Sequence, residues 1–195
     1  MAVKIKICGL RRIQDIEYVN AVLPEYIGFV LTPGFRRSID GDTAARLREK
    51  LDPAIKAVGV FVDDDAERIN RLVRRGVIDM AQLHGGENAE FCKSINAPVI
   101  KYFNCAAGVP HGLENYDVAY YLFDSGTGTG RGFAWKNIPQ TDKPFFLAGG
   151  LNESNVRLAA ETVSPFAVDV SSAVETNGFK DFEKIKRFTE MARYE

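Results

Sequence analysis

The sequence predicts an α/β fold, a single compact (β/α)8 barrel over residues 1–195 with a poorly formed fifth helix. Three observations carry that expectation. Eight short β-branched or apolar runs recur along the chain, and amphipathic stretches separate most of them. Alternation of this kind implies parallel strands joined by helical crossovers. Polar residues of catalytic type stand where five of these runs end: Cys8-Gly9, His84-Gly85-Gly86, Asp124-Ser125-Gly126, Gly149-Gly150 and Ser171-Ser172. In a closed barrel of eight units, such ends meet at one rim and form one site.

The elements follow in order. A strand at residues 4–8 leads to a helix at 13–22, and a strand at 26–31 to a helix at 43–51. The strand at 57–62 precedes the helix at 66–75, where Ile69, Leu72 and Val73 recur at helical spacing. Residues 80–84 form the fourth strand, before a helix at 89–95. Residues 99–103 form the fifth, but Gly108, Pro110 and Gly112 break the stretch behind it. The sixth strand, 120–124, is followed by a glycine-rich segment that leaves room for a short helix near Trp135. Strands at 145–148 and 167–170, with helices at 153–161 and 182–193, complete the set. Because two units are weak, a doubly wound open sheet is the alternative.

Composition narrows the partners. Lys+Arg total 25 and Asp+Glu 26, a net charge of -1, which gives no general attraction to nucleic acid or an anionic membrane. Every apolar run is strand-sized, well short of the ~20 residues of a membrane span. Met1 leads directly into a strand, without the basic and long apolar regions of a signal peptide. Cys8, Cys92 and Cys105 are odd in number and irregular in spacing, neither a disulfide framework nor a zinc pattern. A cytoplasmic protein with free thiols is expected. With only two histidines, His84 and His111, far apart, no histidine-rich metal site is expected.

Several residues are candidates for chemistry. Gly149-Gly150 lets backbone N–H groups approach an anion, and Ser171-Ser172 can open a short helix pointing at the same place. At the ends of the last two strands, the pair predicts a phosphate site. Asp124-Ser125-Gly126-Thr127-Gly128-Thr129-Gly130 is a polar loop that lacks the Lys-Ser/Thr of a P-loop. Cys8 can act as a base where N–H groups or positive charge stabilise its thiolate. Lys6 lies on the same strand face, and in a closed barrel it meets inward-facing Asp169, a structural pair. Arg36 and Arg37 follow the second strand, where an arginine can hold a carboxylate bidentately. His84 by itself reads as a hydrogen-bonded structural residue, and no Gly-x-Ser-x-Gly turn is present.

Lys6-Ile7-Cys8-Gly9-Leu10, Gln82-Leu83-His84-Gly85, Leu122-Phe123-Asp124-Ser125, Leu147-Ala148-Gly149-Gly150-Leu151-Asn152 and Val168-Asp169-Val170-Ser171-Ser172 stand in order along the chain. In these motifs, from Lys4 to Asp181, the sequence closely resembles the phosphoribosylanthranilate isomerases, TIM-barrel enzymes of tryptophan biosynthesis. The resemblance implies an Amadori rearrangement of N-(5-phosphoribosyl)anthranilate to 1-(2-carboxyphenylamino)-1-deoxyribulose 5-phosphate. It implies Cys8 as general base, Asp124 as general acid, Arg37 as anchor of the anthranilate carboxylate, and His84 in the active site. Gly149, Gly150, Ser171 and Ser172 match the phosphate-binding loops. No metal or other cofactor is implied, and the partner is a small phosphorylated molecule bound by a monomer or homodimer. The sequence departs from the family pattern at Arg11, Phe35-Arg36-Arg37, Phe133-Ala134-Trp135 and Ala173. Competing readings are a sugar-phosphate aldolase using Lys6 or Lys101, an epimerase, and a catalytically silent barrel that binds phosphorylated ligands.

Overall fold

The computed structural model describes residues 3–124 and 135–193. β1 (Lys4–Cys8) leads to α1 (Ile13–Val22), and β2 (Tyr26–Val30) to α2 (Gly41–Arg48). β3 (Lys56–Phe61) leads to α3 (Ala66–Arg74), and β4 (Met80–Leu83) to α4 (Ala89–Lys93). β5 (Val99–Asn104) is followed only by a 3-10 turn at Leu113–Asn115. Gly108 and Gly112 there take positive φ values of 142° and 75°, so the fifth crossover breaks as the sequence predicts. Among the described residues, β6 (Tyr120–Asp124) is followed only by a 3-10 turn at Trp135–Asn137. β7 (Phe145–Leu147) leads to α5 (Val156–Val163), and β8 (Ala167–Val170) to a 3-10 turn at Ser172–Val174. A hairpin of β9 (Glu175–Thr176) and β10 (Phe179–Lys180) then precedes α6 (Phe182–Arg193).

The first eight strands form a closed parallel barrel, which removes the open-sheet alternative. The closing seam pairs Lys4, Ile5, Lys6 and Ile7 with Ala167, Val168, Asp169 and Val170. Tyr26, Val58, Met80, Ile100, Leu122, Phe146 and Ala167 pack together inside the barrel. Alternate residues such as Ile5, Ile7, Ile27, Phe29, Phe61 and Phe123 face outward and join the larger core under the helices. At the seam, Lys6 Nζ donates to Asp169 Oδ2 at 2.8 Å, the pairing expected from strand parity.

Two helix starts differ from the sequence expectation for local reasons. The Asp40 side chain accepts from Thr43 N at 2.6 Å, so α2 begins at Gly41 and Thr43 is its third residue. The Asn152 side chain accepts from Ser154 N at 2.9 Å and folds residues 152–154 into a turn, delaying α5 to Val156. Among the described residues, no helix is long and apolar enough to cross a membrane.

Candidate active site

A cavity of about 720 Å³ opens where the strands end. Cys8, Gln82, His84, Asp124 and Asp169 line its polar parts, and Val30, Phe35, Val60 and Val62 line an apolar wall. Gly149, Gly150, Ser171, Ser172, Arg36 and Arg37 complete it. All eight residues expected to bind or react therefore border one space. The glycine-rich loop after Asp124, with Ser125 and the Phe133-Ala134 departure, lies outside the described residues.

Cys8 ends β1, and its Sγ occupies room made by the neighbouring strand. A Cβ added at Gly28 would sit 2.6 Å from that sulfur. Burial pushes the Cys8 thiol up; the Lys6 charge opposes this, the Asp169 charge adds to it, and Lys180 again opposes. A stabilised thiolate would mean a lowered thiol pKa, and the net direction is the opposite because burial outweighs the lysine charges. Burial likewise raises the Asp169 carboxyl against the pull of Lys6. Among the described residues, Asp169 Oδ1 and Gln82 Oε1 are both buried without a hydrogen-bond partner.

His84 follows β4, and its ring stacks on Tyr102 with centroids 3.9 Å apart. Its Nδ1 lies 2.9 Å from Gln82 Nε2. Burial, with the charges of Lys6 and Lys101, lowers its pKa to about 4. With the Gln82 amide donating to Nδ1, the neutral ring carries its proton on Nε2.

Gly149 and Gly150 take positive φ values of 91° and 69°, a bend that glycine permits, at the border of the cavity. Asn155 Nδ2 donates to Gly150 O at 3.0 Å and fixes the bend. Ser171 Oγ donates to Cys8 O at 3.0 Å, so its hydroxyl ties the β8 loop to β1. Ala173 adds a Cβ where glycine is usual, but its φ is not positive, so the backbone carries no strain there.

Arg37 lies across Gly9, where a Cβ would meet its Cδ at 2.4 Å. Its guanidinium is bidentate on Glu175, with Nε to Oε1 at 2.6 Å and Nη2 to Oε2 at 2.9 Å. Arg36 Nη2 also donates to Glu175 Oε2, at 2.7 Å. Arg11 braces the same loop by donating to Arg36 O and Gly178 O. The sequence reading missed Gly28, Glu175 and Lys180. Gly28 was detectable as a glycine inside an apolar strand run, a mark of close approach. Glu175 and Lys180 carried no local signal.

Neither lysine of the aldolase reading lines the cavity. Lys6 is consumed by Asp169, and Lys101 Nζ donates to Glu87 Oε2 at 2.7 Å and Gly85 O at 2.8 Å. Cys92 and Cys105 are buried away from it.

The closed barrel has counterparts among known proteins. The family model for N-(5'phosphoribosyl)anthranilate (PRA) isomerase matches residues 5–191. The chain belongs to this family. It is 45% identical to the N-(5'-phosphoribosyl)anthranilate isomerase of Clostridium acetobutylicum, over 95% of this chain and 96% of that protein. The PRA isomerase crystal structure from Thermus thermophilus superposes with a TM-score of 0.88 at 32% identity, covering 97% of this chain and 98% of that one. A third PRA isomerase, solved with reduced 1-(o-carboxyphenylamino)-1-deoxyribulose 5-phosphate, superposes with a TM-score of 0.78 at 31% identity, over 97% and 98% of the two chains. This chain is thus a PRA isomerase of tryptophan biosynthesis by family and fold.

Proposed function

We propose that the isomerase rearranges N-(5-phosphoribosyl)anthranilate by general acid–base catalysis, with Cys8 as base and Asp124 as acid. The observation that carries this reading is that both side chains border one cavity, which Arg37, the Gly149-Gly150 turn and Ser171-Ser172 also border. Asp124 protonates the furanose oxygen and the ring opens to an iminium. Cys8 then removes the proton from C2, which the iminium has acidified. The enolamine tautomerises to the aminoketose. Arg37 holds the anthranilate carboxylate. The N–H groups of Gly149, Gly150, Ser171 and Ser172 hold the phosphate. Anchors at both ends place C2 between the two reacting groups.

The raised thiol pKa suits the step in one respect. The thiolate is scarce at rest, but a thiolate of high basicity is a strong proton acceptor once formed. Lys6 and Lys180 supply the positive charge near it. Neutral His84 offers an Nε2–H donor without adding a charge that would compete for the substrate's anions. A free thiol in this role needs a reducing compartment, which supports a cytoplasmic location.

The test is turnover of freshly made substrate, followed by loss of anthranilate fluorescence. Cys8→Ala and Asp124→Asn are each expected to lower kcat by about 10² to 10⁴-fold while the product analogue still binds. Near-normal turnover in either variant would remove that residue from its role.

A further inference from the structure

Glu175 pairs with Arg36, Arg37 and Lys180, yet it does not border the cavity itself. Its side chain is only 5% exposed. Burial alone would raise its pKa, but hydrogen bonds from Arg37 and Lys180, with Arg36, hold it down to about 2. It is therefore a permanent anion behind the arginines. The hairpin sets its place, because β9 and β10 pair Glu175 directly with Lys180. Lys180 Nζ donates to Glu175 Oε1 at 2.8 Å and to Ser171 O at 2.9 Å.

The donor count on Arg37 decides what this geometry can do. A guanidinium carries five N–H donors in a fixed plane. Glu175 takes Nε–H and one Nη2–H, the side edge of the fork. Among the described residues, the end of the fork, Nη1 with the second Nη2–H, is left over on a side chain that borders the cavity. A planar carboxylate fits that end with two parallel bonds.

We propose that Glu175 is a positioning residue for the substrate carboxylate, clamping the side edge of the Arg37 guanidinium so that its end faces the bound anthranilate. Through Lys180, the same carboxylate ties this anchor to the Ser171 loop proposed for the phosphate. The hairpin thus fixes the spacing between the sites for the two anionic ends of the substrate. Glu175 touches no substrate atom, and it acts on the substrate carboxylate only through Arg37. The proposal rests on the reading of Arg37 as carboxylate anchor, and its test separates the two.

The experiment compares two ligands by calorimetric titration: reduced 1-(o-carboxyphenylamino)-1-deoxyribulose 5-phosphate and its phenylamino counterpart without the carboxylate. Glu175→Gln is expected to weaken the first by about tenfold or more and leave the second unchanged. KM for the substrate rises more than kcat falls. Glu175→Asp, which keeps the charge but shortens the reach, gives the same split and carries the test if the glutamine variant does not fold. Equal weakening of both ligands, or no change in either, overturns the proposal. Arg37→Gln is the control: if it still discriminates the two ligands, the anchor reading falls. If it loses discrimination while the Glu175 variants keep it, only the role of Glu175 falls.

Discussion

Burial acts on Cys8 and His84 in the same physical sense and with opposite signs on their pKa values. It disfavours the charged form of each, raising the thiol and lowering the imidazole to about 4. Cys8, the proposed base, is active only when deprotonated. The rising limb of kcat/KM against pH therefore reports Cys8, and it is expected above the ordinary thiol value of 9.0. A rising limb near neutral pH would contradict the burial argument. For His84 the linkage concerns stability. Between pH 6.5 and about 4 the unfolded chain takes up a proton that the folded chain refuses, so stability falls as pH falls through that window. The loss reaches about 3 kcal/mol. His84→Gln should flatten the denaturation midpoint across that range. Glu175 adds a separate loss at lower pH, because its depressed pKa makes its contribution full above the ordinary 4.5 and gone by about 2.

At the scale of elements, one strand residue makes the room that seats the Cys8 thiol. Gly28 on β2 faces the Cys8 sulfur, and Gly28→Ala is expected to displace the thiol and to cost about 1–3 kcal/mol in overpacking. Turnover should fall by more than the change in melting temperature explains, measured on the same sample. The elements themselves were legible because strand runs and helical spacing are local properties. Ile69 and Leu72 mark α3 without knowledge of any partner. The starts of α2 and α5 were not, because the Asp40 cap and the Asn152 turn set them rather than apolar period. Cys8, Asp124 and the glycine turns were legible because each ends a strand and belongs to a recognisable motif. The Arg37–Glu175 clamp was not, since its partners lie 138 residues apart and nothing near either one announces the other.

Across the whole molecule, the Lys6–Asp169 pair sits at the seam where the first and last barrel strands meet. Both groups are buried, so removing one leaves the other uncompensated. Lys6→Met is expected to cost about 3–5 kcal/mol by urea denaturation, and adding Asp169→Leu should recover much of that loss. Recovery would show that the pair selects the closed register more than it stabilises it. The seam also has a consequence for synthesis. β1 leaves the ribosome first, and its partner β8 follows 163 residues later. Until then the growing chain carries two unsatisfied strand edges, a template for neighbours on the same message. Chains stopped just before Ala167 should accumulate as aggregates, whereas chains carrying β8 should release as dispersed protein.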